Sequence, residues 1–148
     1  LNKLISISQR ISSILIYTIP LKSSLPYGYN LFDKFAYLKI IEYLTFPITI
    51  IENVLPFGGL LLFLILFAGV VRNPNLPYFV RFNGCQAILI NIALILFSYL
   101  LVIIPITELG LILFILTLAV FLFCVIQCIS GVEPEIPLIS KSARIQIY

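Results

Sequence analysis

Two long stretches without a charged residue dominate the second half of the chain. One covers residues 82–107 and the other residues 109–132, with only Glu108 between them. A membrane-spanning helix needs about 20 mainly apolar residues, because each residue adds about 1.5 Å against a hydrocarbon core of about 30 Å. The pattern therefore predicts spans over about 82–104 and 108–131. The tight, proline-containing link between them predicts an antiparallel helical hairpin.

Two weaker apolar segments lie in the first half of the chain. One covers about 55–71 and ends at Arg72; it is short but very apolar. The other covers about 10–26 and contains Pro20 and Lys22, so it is expected to form a kinked or tilted helix whose lysine reaches toward lipid headgroups. With these two segments the chain is predicted to cross a membrane four times.

The segment over about 32–53, between the first two spans, mixes charged and apolar residues. Asp33, Lys39 and Glu42 alternate there with aromatic and aliphatic positions. This pattern predicts an amphipathic helix at the membrane interface, broken near Pro47. The fold expected for residues 1–148 is one domain, an all-α polytopic membrane bundle of four transmembrane helices plus an interfacial amphipathic helix.

The composition excludes an ordinary soluble protein. Hydrophobic residues make up 61% of the chain, charged residues make up 10%, and the mean hydropathy is +1.17. The formal net charge of +3 is spread over scattered positions and does not indicate a nucleic-acid-binding surface.

Lysine and arginine predict the orientation of the four-span arrangement. They divide six to three between its two sides, which places both termini in the compartment from which the protein is inserted. The six are Lys3, Arg10, Arg72, Arg81, Lys141 and Arg144, and the three are Lys22, Lys34 and Lys39.

Polar residues mark one face of the helix predicted over 82–104. Asn83, Gln86 and Asn91 fall within an arc of about 140° at 100° per residue, and Ser98 lies on the same arc. Amides are unfavourable against lipid, so this face should point into protein or water. Two interpretations stay open, with the first favoured: hydrogen bonds that hold the helices together, or a polar lining for a passing substrate.

Arg72 and Arg81 bracket the short link that precedes this helix, and Tyr78 and Phe79 lie in the same region. Aromatic and basic residues together are typical of a membrane-interface anchor. The same residues could also form a docking surface for a partner.

The chain offers little for catalysis or metal binding. It has no histidine, no paired carboxylates within a predicted span and no phosphate-binding glycine loop, so we expect no enzymatic activity and no cofactor. Cys124 and Cys128 lie one helical turn apart without another ligand type beside them, so they are expected to be packed thiols rather than a metal site.

Several sequence blocks resemble one known family. Val70-Val71-Arg72-Asn73, Phe79-Val80-Arg81-Phe82-Asn83 and Gln86-Ala87-Ile88-Leu89 resemble the signature of the twenty-kilodalton Tic protein family, whose members are small polytopic subunits of the translocon at the inner chloroplast envelope. The tail Glu135-Ile136-Pro137-Leu138-Ile139-Ser140 and the segment around Leu55-Pro56-Phe57 are also similar. Gly84, Cys85 and Asn91 depart from the family pattern, which usually has threonine, methionine and aspartate there.

The resemblance implies a four-helix subunit of the inner-envelope translocon with both termini in the stroma. It would help imported preproteins cross the membrane as a channel component or core scaffold, with other translocon subunits, preproteins and the lipid bilayer as partners. The abundance of isoleucine, asparagine, lysine, phenylalanine and tyrosine is typical of an AT-rich organellar genome and suggests a plastid-encoded member. The alternatives are a structural or assembly subunit of another plastid membrane complex, such as a photosystem, and a lipid-modifying enzyme that uses Arg81 or Glu108.

Overall fold

The computed structural model describes residues 5–147, and this part of the chain is helical throughout, without a β-strand. The all-α prediction is therefore confirmed. Seven α-helices follow one another in it: α1 Ile7–Ser24, α2 Tyr29–Lys34, α3 Ile40–Val54, α4 Gly59–Leu66, α5 Tyr78–Ile103, α6 Thr107–Ile129 and α7 Ile139–Ile147. Turns of 3₁₀ helix precede and follow α2, at Leu25–Tyr27 and Ala36–Lys39, and a π-helical turn, Phe67–Val71, continues α4.

Within residues 5–147, α5 and α6 are the two helices that are long and apolar enough to cross a membrane. They contain 26 and 23 residues, which at 1.5 Å per residue gives lengths of about 39 and about 35 Å. Both exceed a hydrocarbon thickness of about 30 Å. The two uncharged stretches thus form helices with bounds close to the predicted 82–104 and 108–131.

The helix α1 lies between α5 and α6 and packs against both of them, whereas α5 and α6 have few contacts with each other. Tyr17 and Leu21 on α1 are 1% and 0% exposed. Side-chain contacts show how these helices run. The start of α1 lies beside the start of α5 and beside the end of α6, so α1 is parallel to α5 and antiparallel to α6. The predicted hairpin is therefore an antiparallel pair of helices separated by a third, rather than a pair packed directly on each other.

Burial inside the bundle explains why α1 is the least apolar of the long helices. Ser13, Thr18, Pro20 and Ser24 are buried by neighbouring helices, so these positions do not need to be lipid-compatible. For the same reason α1 is not recognisable as a span from length and composition. The predicted span over 10–26 corresponds to this helix, and its crossing of the membrane stays a prediction.

The predicted span over 55–71 differs most from the structure. Helix α4 begins only at Gly59, after a bend of 102° that separates it from α3. Phe57 and Gly58 both have positive φ at this bend, 60° and 46°, which glycine adopts readily and which other residues rarely adopt. The helical residues 59–71 extend over about 20 Å, too short for a span alone. Together, Ala36–Val54 and Gly59–Val71 are long and apolar enough for a third crossing, and the bend makes them either a broken span or a re-entrant loop.

The predicted break near Pro47 is wrong, because α3 continues without interruption from Ile40 to Val54. Pro47 removes one N–H donor from the helix, yet the helix continues on both sides of it. The inner face of α3 buries Ile41, Thr45 and Ile48, whereas its outer face exposes large apolar side chains such as Tyr43 and Val54. These exposed apolar residues are consistent with contact to lipid.

The chain after α6 turns back and packs on the start of α5 through α7. Arg81 on α5 donates hydrogen bonds to the carbonyl of Val71 at 3.0 Å and to that of Ile147 at 2.6 Å. Arg10 on α1 donates to the carbonyl of Ile129 at the end of α6, at 2.8 Å. Both ends of the described chain, residues 5–147, therefore lie at the same end of the bundle.

Candidate functional site

Asn83 and Gln86 form a polar centre in the first half of α5. Both side chains are 0% exposed, because they point toward α1 and toward the segment that follows α6. The prediction that these amides avoid lipid agrees with this position. Their hydrogen-bond partners decide between the two interpretations, a polar lining for a substrate or hydrogen bonds that hold the helices together.

The hydroxyl of Tyr17 on α1 connects the two amides. It donates a hydrogen bond to Asn83 Oδ1 at 2.6 Å and accepts one from Gln86 Nε2 at 3.0 Å. Asn83 Nδ2 donates to the carbonyl of Phe79 at 2.8 Å and to Ser13 Oγ at 3.3 Å. The two side chains of α1 thus reach α5 from one side, and Cys128 Sγ on α6 lies 3.7 Å from Asn83 Oδ1.

The segment after α6 reaches Gln86 from the other side. Gln86 Nε2 donates its second hydrogen bond to the carbonyl of Pro134 at 3.1 Å. Ser140 Oγ donates to Gln86 Oε1 and accepts from the N–H of Ile136 at 2.7 Å. A residue at the start of α7 thereby orients both the amide and the turn that precedes it.

Every amide hydrogen of Asn83 and Gln86 has a protein acceptor in this network. Each amide has two such hydrogens, and the four contacts are Tyr17, Pro134, Phe79 and Ser13. Buried polar groups with complete hydrogen bonding hold elements together and define their register. In this conformation the polar centre is closed, which agrees with the favoured interpretation of hydrogen bonds between helices.

Asn91 and Ser98 do not join this network, although they lie on the same arc of α5. Ser98 Oγ donates to the carbonyl of Ile95 within its own helix at 2.6 Å. Asn91 borders a cavity of about 420 Å³ between α1, α3, α4 and α5. Its Oδ1 is buried and accepts no hydrogen bond from the residues that the structure describes. The predicted arc is thus divided into a closed pair, Asn83 and Gln86, and two residues outside that network, Asn91 and Ser98.

The residues predicted as an anchor or docking surface are also divided. Arg81 is engaged with two backbone carbonyls, and Phe79 is 3% exposed in the core. Tyr78 is 41% exposed and its ring stacks on Phe82 at 6.3 Å between centroids. The guanidinium of Arg72 lies over the ring of Phe67 at 5.3 Å and donates to Gln146 Oε1 at 3.4 Å. Arg72 and Tyr78 therefore lie at the surface, and Arg81 and Phe79 fix the fold.

Most of the basic residues in 5–147 lie at the end of the bundle where the described chain begins and ends. Arg144 forms ion pairs with Glu133 and Glu135, and its guanidinium lies over the ring of Phe82 at 4.8 Å. Hydrogen bonding from Arg144 lowers the pKa of the Glu135 carboxyl and the same contact raises the pKa of the guanidinium. Arg10, Arg72, Arg81 and Lys141 belong to this end as well, whereas Lys3 lies outside the described residues.

Lys22 lies at the opposite end of α1 and does not extend freely toward headgroups as expected. Its ammonium is 3.1 Å from the carboxylate of Glu52 on α3, with the two side chains 30% and 18% exposed. This ion pair connects α1 to α3 beside the bend that precedes α4. Sequence reasoning placed both residues near the interface but did not pair them.

Ser13, Tyr17 and Ser140 are the side chains of the polar centre that sequence reasoning missed. Their partners are 54 to 70 residues away along the chain, so no local spacing reports the contacts. Cys124 and Cys128 are buried free thiols as expected. Within residues 5–147, no group of three metal-ligating side chains comes together.

Comparison with known proteins assigns a family to this arrangement. The family model described as "Chloroplast import apparatus Tic20-like" matches residues 7–143. A Tic20 family protein of Synechocystis sp. is 38% identical over 147 residues, covering 93% of this chain and 92% of the relative. Protein TIC 20-v, chloroplastic, of Arabidopsis thaliana is 32% identical over 155 residues, covering 95% and 71%.

A third relative, the Tic20 family protein Ycf60 of Gracilaria tenuistipitata, is 31% identical over 158 residues and covers 97% of this chain and 77% of its own length. The matched region includes α1, α5 and α6 in full, and with them the polar centre that joins these helices. This chain belongs to the Tic20 family.

Proposed function

We propose that this chain is a membrane subunit of the apparatus that imports polypeptides into plastids, located in the inner envelope. The family match over residues 7–143 is the observation that carries this proposal. Relatives whose names include "chloroplastic" support the plastid location. The alternative, a subunit of another plastid membrane complex such as a photosystem, is not supported by any of these matches.

The topology that we propose has four crossings and both termini in the stroma. The crossings are α1, the bent pair of α3 and α4, α5 and α6. Two observations support it: both ends of residues 5–147 lie at one end of the bundle, and most basic residues lie there too. An excess of lysine and arginine is typical of the side from which a membrane protein is inserted.

Between channel and scaffold, the closed polar centre favours a scaffold that supplies one wall of a shared conduit. Asn83 and Gln86 have all their amide hydrogens bonded within the chain, so they offer no free groups to a passing polypeptide. A conduit that lies between this chain and other subunits does not require a pore through the bundle of one chain.

The test is to purify the native complex from membranes through a tag on this chain, with and without a precursor arrested during import. Other subunits of an import apparatus and the arrested precursor should co-purify. Recovery of photosystem subunits instead, with no precursor, would support the alternative assignment. A tagged membrane protein of the same envelope from outside the import apparatus serves as the control for carry-over.

A further inference from the structure

The helix α4 is shorter than the hydrocarbon layer that surrounds a membrane protein. Gly59–Leu66 and the π-helical turn Phe67–Val71 contain 8 and 5 residues, which together extend over about 20 Å. A hydrocarbon core is about 30 Å thick. The segment that lies beside α5 is therefore about 10 Å too short for an ordinary bilayer.

Contacts at two levels show where α4 begins relative to α5. Near the described termini, a Cβ placed on Gly84 of α5 would lie 3.0 Å from Val70 Cγ1. Farther along the bundle, Gly59 and Ile95 line the same cavity. Each of these positions is 11 residues from the other one on its own segment, so the two segments run side by side in opposite directions. From Ile95, α5 continues to Ile103, about 12 Å past the start of α4.

The part of the α5–α6 hairpin beyond this level is apolar and exposed. Leu96, Val102 and Ile103 on α5 are exposed, and so are Leu109 and Ile112 on α6. A continuous exposed surface of large apolar side chains is unfavourable in water and suited to lipid. The hydrocarbon layer should therefore reach the end of the hairpin on this side of the molecule.

The start of α4 has the opposite character, because charged and polar groups surround it. Lys22 and Glu52 form their ion pair here, and Glu52 Oε2 lies 3.5 Å from the position that a Cβ on Gly59 would take. Neither charged side chain is fully covered by protein, since they are 30% and 18% exposed. Asn53 is exposed as well. Charges and irregular backbone are unfavourable against hydrocarbon, so the lipid tails beside α4 should end at this level.

Helix α3 is a second marker of the same level. It belongs to the segment Ala36–Val54, which meets Gly59–Val71 at an angle of 102°, so it lies across the direction of α4 and α5. Its surface exposes Glu42 together with the aromatic side chains of Tyr43 and Phe46. Aromatic residues mixed with charges are typical of the membrane interface. A helix in this orientation indicates that headgroups lie near the start of α4.

We propose that the α3–α4 side of this chain holds the bilayer in a locally thinned form, about 10 Å thinner than at the α5–α6 hairpin. A hydrophobic segment that is shorter than the hydrocarbon layer is accommodated by thinning of that layer. Headgroups and water then descend to the Lys22–Glu52 ion pair, and lipid tails contact the outer surface of α4. Thinning shortens the layer that a polar group has to cross. The partner of this surface is the bilayer itself, and the proposal goes beyond the import role.

The test measures the depth of a fluorophore in the full chain, reconstituted in vesicles of dioleoyl phosphatidylcholine. A single cysteine labelled with NBD replaces Leu60 at the start of α4 or Leu116 on α6, which are both exposed. Leu116 borders Phe97 of α5, and Phe97 is closer to the hairpin loop than Ile95. A layer of even thickness would therefore place Leu116 at least as near to the headgroups as Leu60. The native cysteines are buried and are replaced by alanine in every variant: Cys85, Cys124 and Cys128.

The readout is quenching by phosphatidylcholine that carries a nitroxide either close to the headgroup or deep in the acyl chain. The label at Leu60 should be quenched several-fold more strongly by the shallow nitroxide than by the deep one. The label at Leu116 should show the reverse order. Stronger quenching of both labels by the deep nitroxide would overturn the proposal. Absence of quenching at Leu60 by either nitroxide would also overturn it, because the surface beside α4 would then not face lipid.

A double variant tests the role of the ion pair. Lys22→Leu with Glu52→Leu removes both charges, so lipid tails should extend farther along α4 and the deep nitroxide should quench the Leu60 label several-fold more than in the parent. Asp33→Leu with Lys34→Leu removes the same two charges from exposed positions of α2 and should leave the quenching unchanged. Equal quenching in the two double variants would overturn the role of the ion pair. The import role is decided separately, by the co-purification experiment.

Discussion

The hydroxyl of Tyr17 on α1 lies 2.6 Å from Oδ1 of Asn83 on α5, a residue 66 positions further along the chain. The same oxygen accepts a hydrogen bond from Gln86. One phenol on α1 therefore satisfies two amides on α5, and it does so where all three side chains are almost fully buried. This contact lies where α1 packs between α5 and α6, although α1 is less apolar than those two helices.

Replacing Tyr17 by phenylalanine should destabilise the protein by about 1–2 kcal/mol, because it removes one donor and one acceptor from a buried network and leaves the packing in place. The measurement is the thermal unfolding midpoint in detergent. Tyr99→Phe is the matched control, since Tyr99 is 66% exposed. Equal midpoints for the two variants would contradict the proposed role of the hydroxyl.

Replacing Ser140 by alanine should loosen the segment that follows α6, because the serine connects Gln86 to the N–H of Ile136. We expect trypsin to cleave after Lys141 and Arg144 several-fold faster in this variant, since proteolysis follows local opening. Ser142→Ala is the control, as Ser142 is exposed and bonds only to Leu138 within the same turn. Unchanged cleavage rates would show that Ser140 does not hold the segment.

Replacing Gly28 by alanine should be destabilising by about 1–3 kcal/mol, the usual effect of forcing an extra methyl group into a packed core. A Cβ at Gly28 would lie 2.7 Å from the ring of Phe114 on α6. Gly69→Ala is the control, because a Cβ there meets nothing within 4 Å. The measurement is the thermal unfolding midpoint of each variant in detergent. An unchanged midpoint for Gly28→Ala would mean that the turn after α1 does not pack closely on α6.

The sequence alone predicted the two most apolar helices. The uncharged stretches form α5 and α6 with nearly the predicted bounds, because hydropathy measures compatibility with hydrocarbon. Hydropathy was a poor guide to α1, because its Ser13, Tyr17 and Thr18 face protein. The break before α4 was also missed, since it depends on positive φ angles at Phe57 and Gly58 that composition does not report.

The candidate site was predicted in part. Burial of Asn83 and Gln86 followed from the unfavourable exposure of amides to lipid. Their closure by Tyr17 and Ser140 did not follow, because these contacts are set by tertiary packing. Asn91 lies on the same arc of α5 as the other two, but its angle around the helix does not report which neighbouring helix covers it.

The central claim is that α1 crosses the membrane as the core helix, so that the chain makes four crossings. The most direct measurement is labelling of single cysteines by a membrane-impermeant maleimide in sealed inner-envelope vesicles of known orientation. Asn30, in α2, and Ser142, in α7, are both exposed positions for the cysteine. The account predicts that the two label from opposite sides of the membrane. Labelling of both from the same side would contradict it.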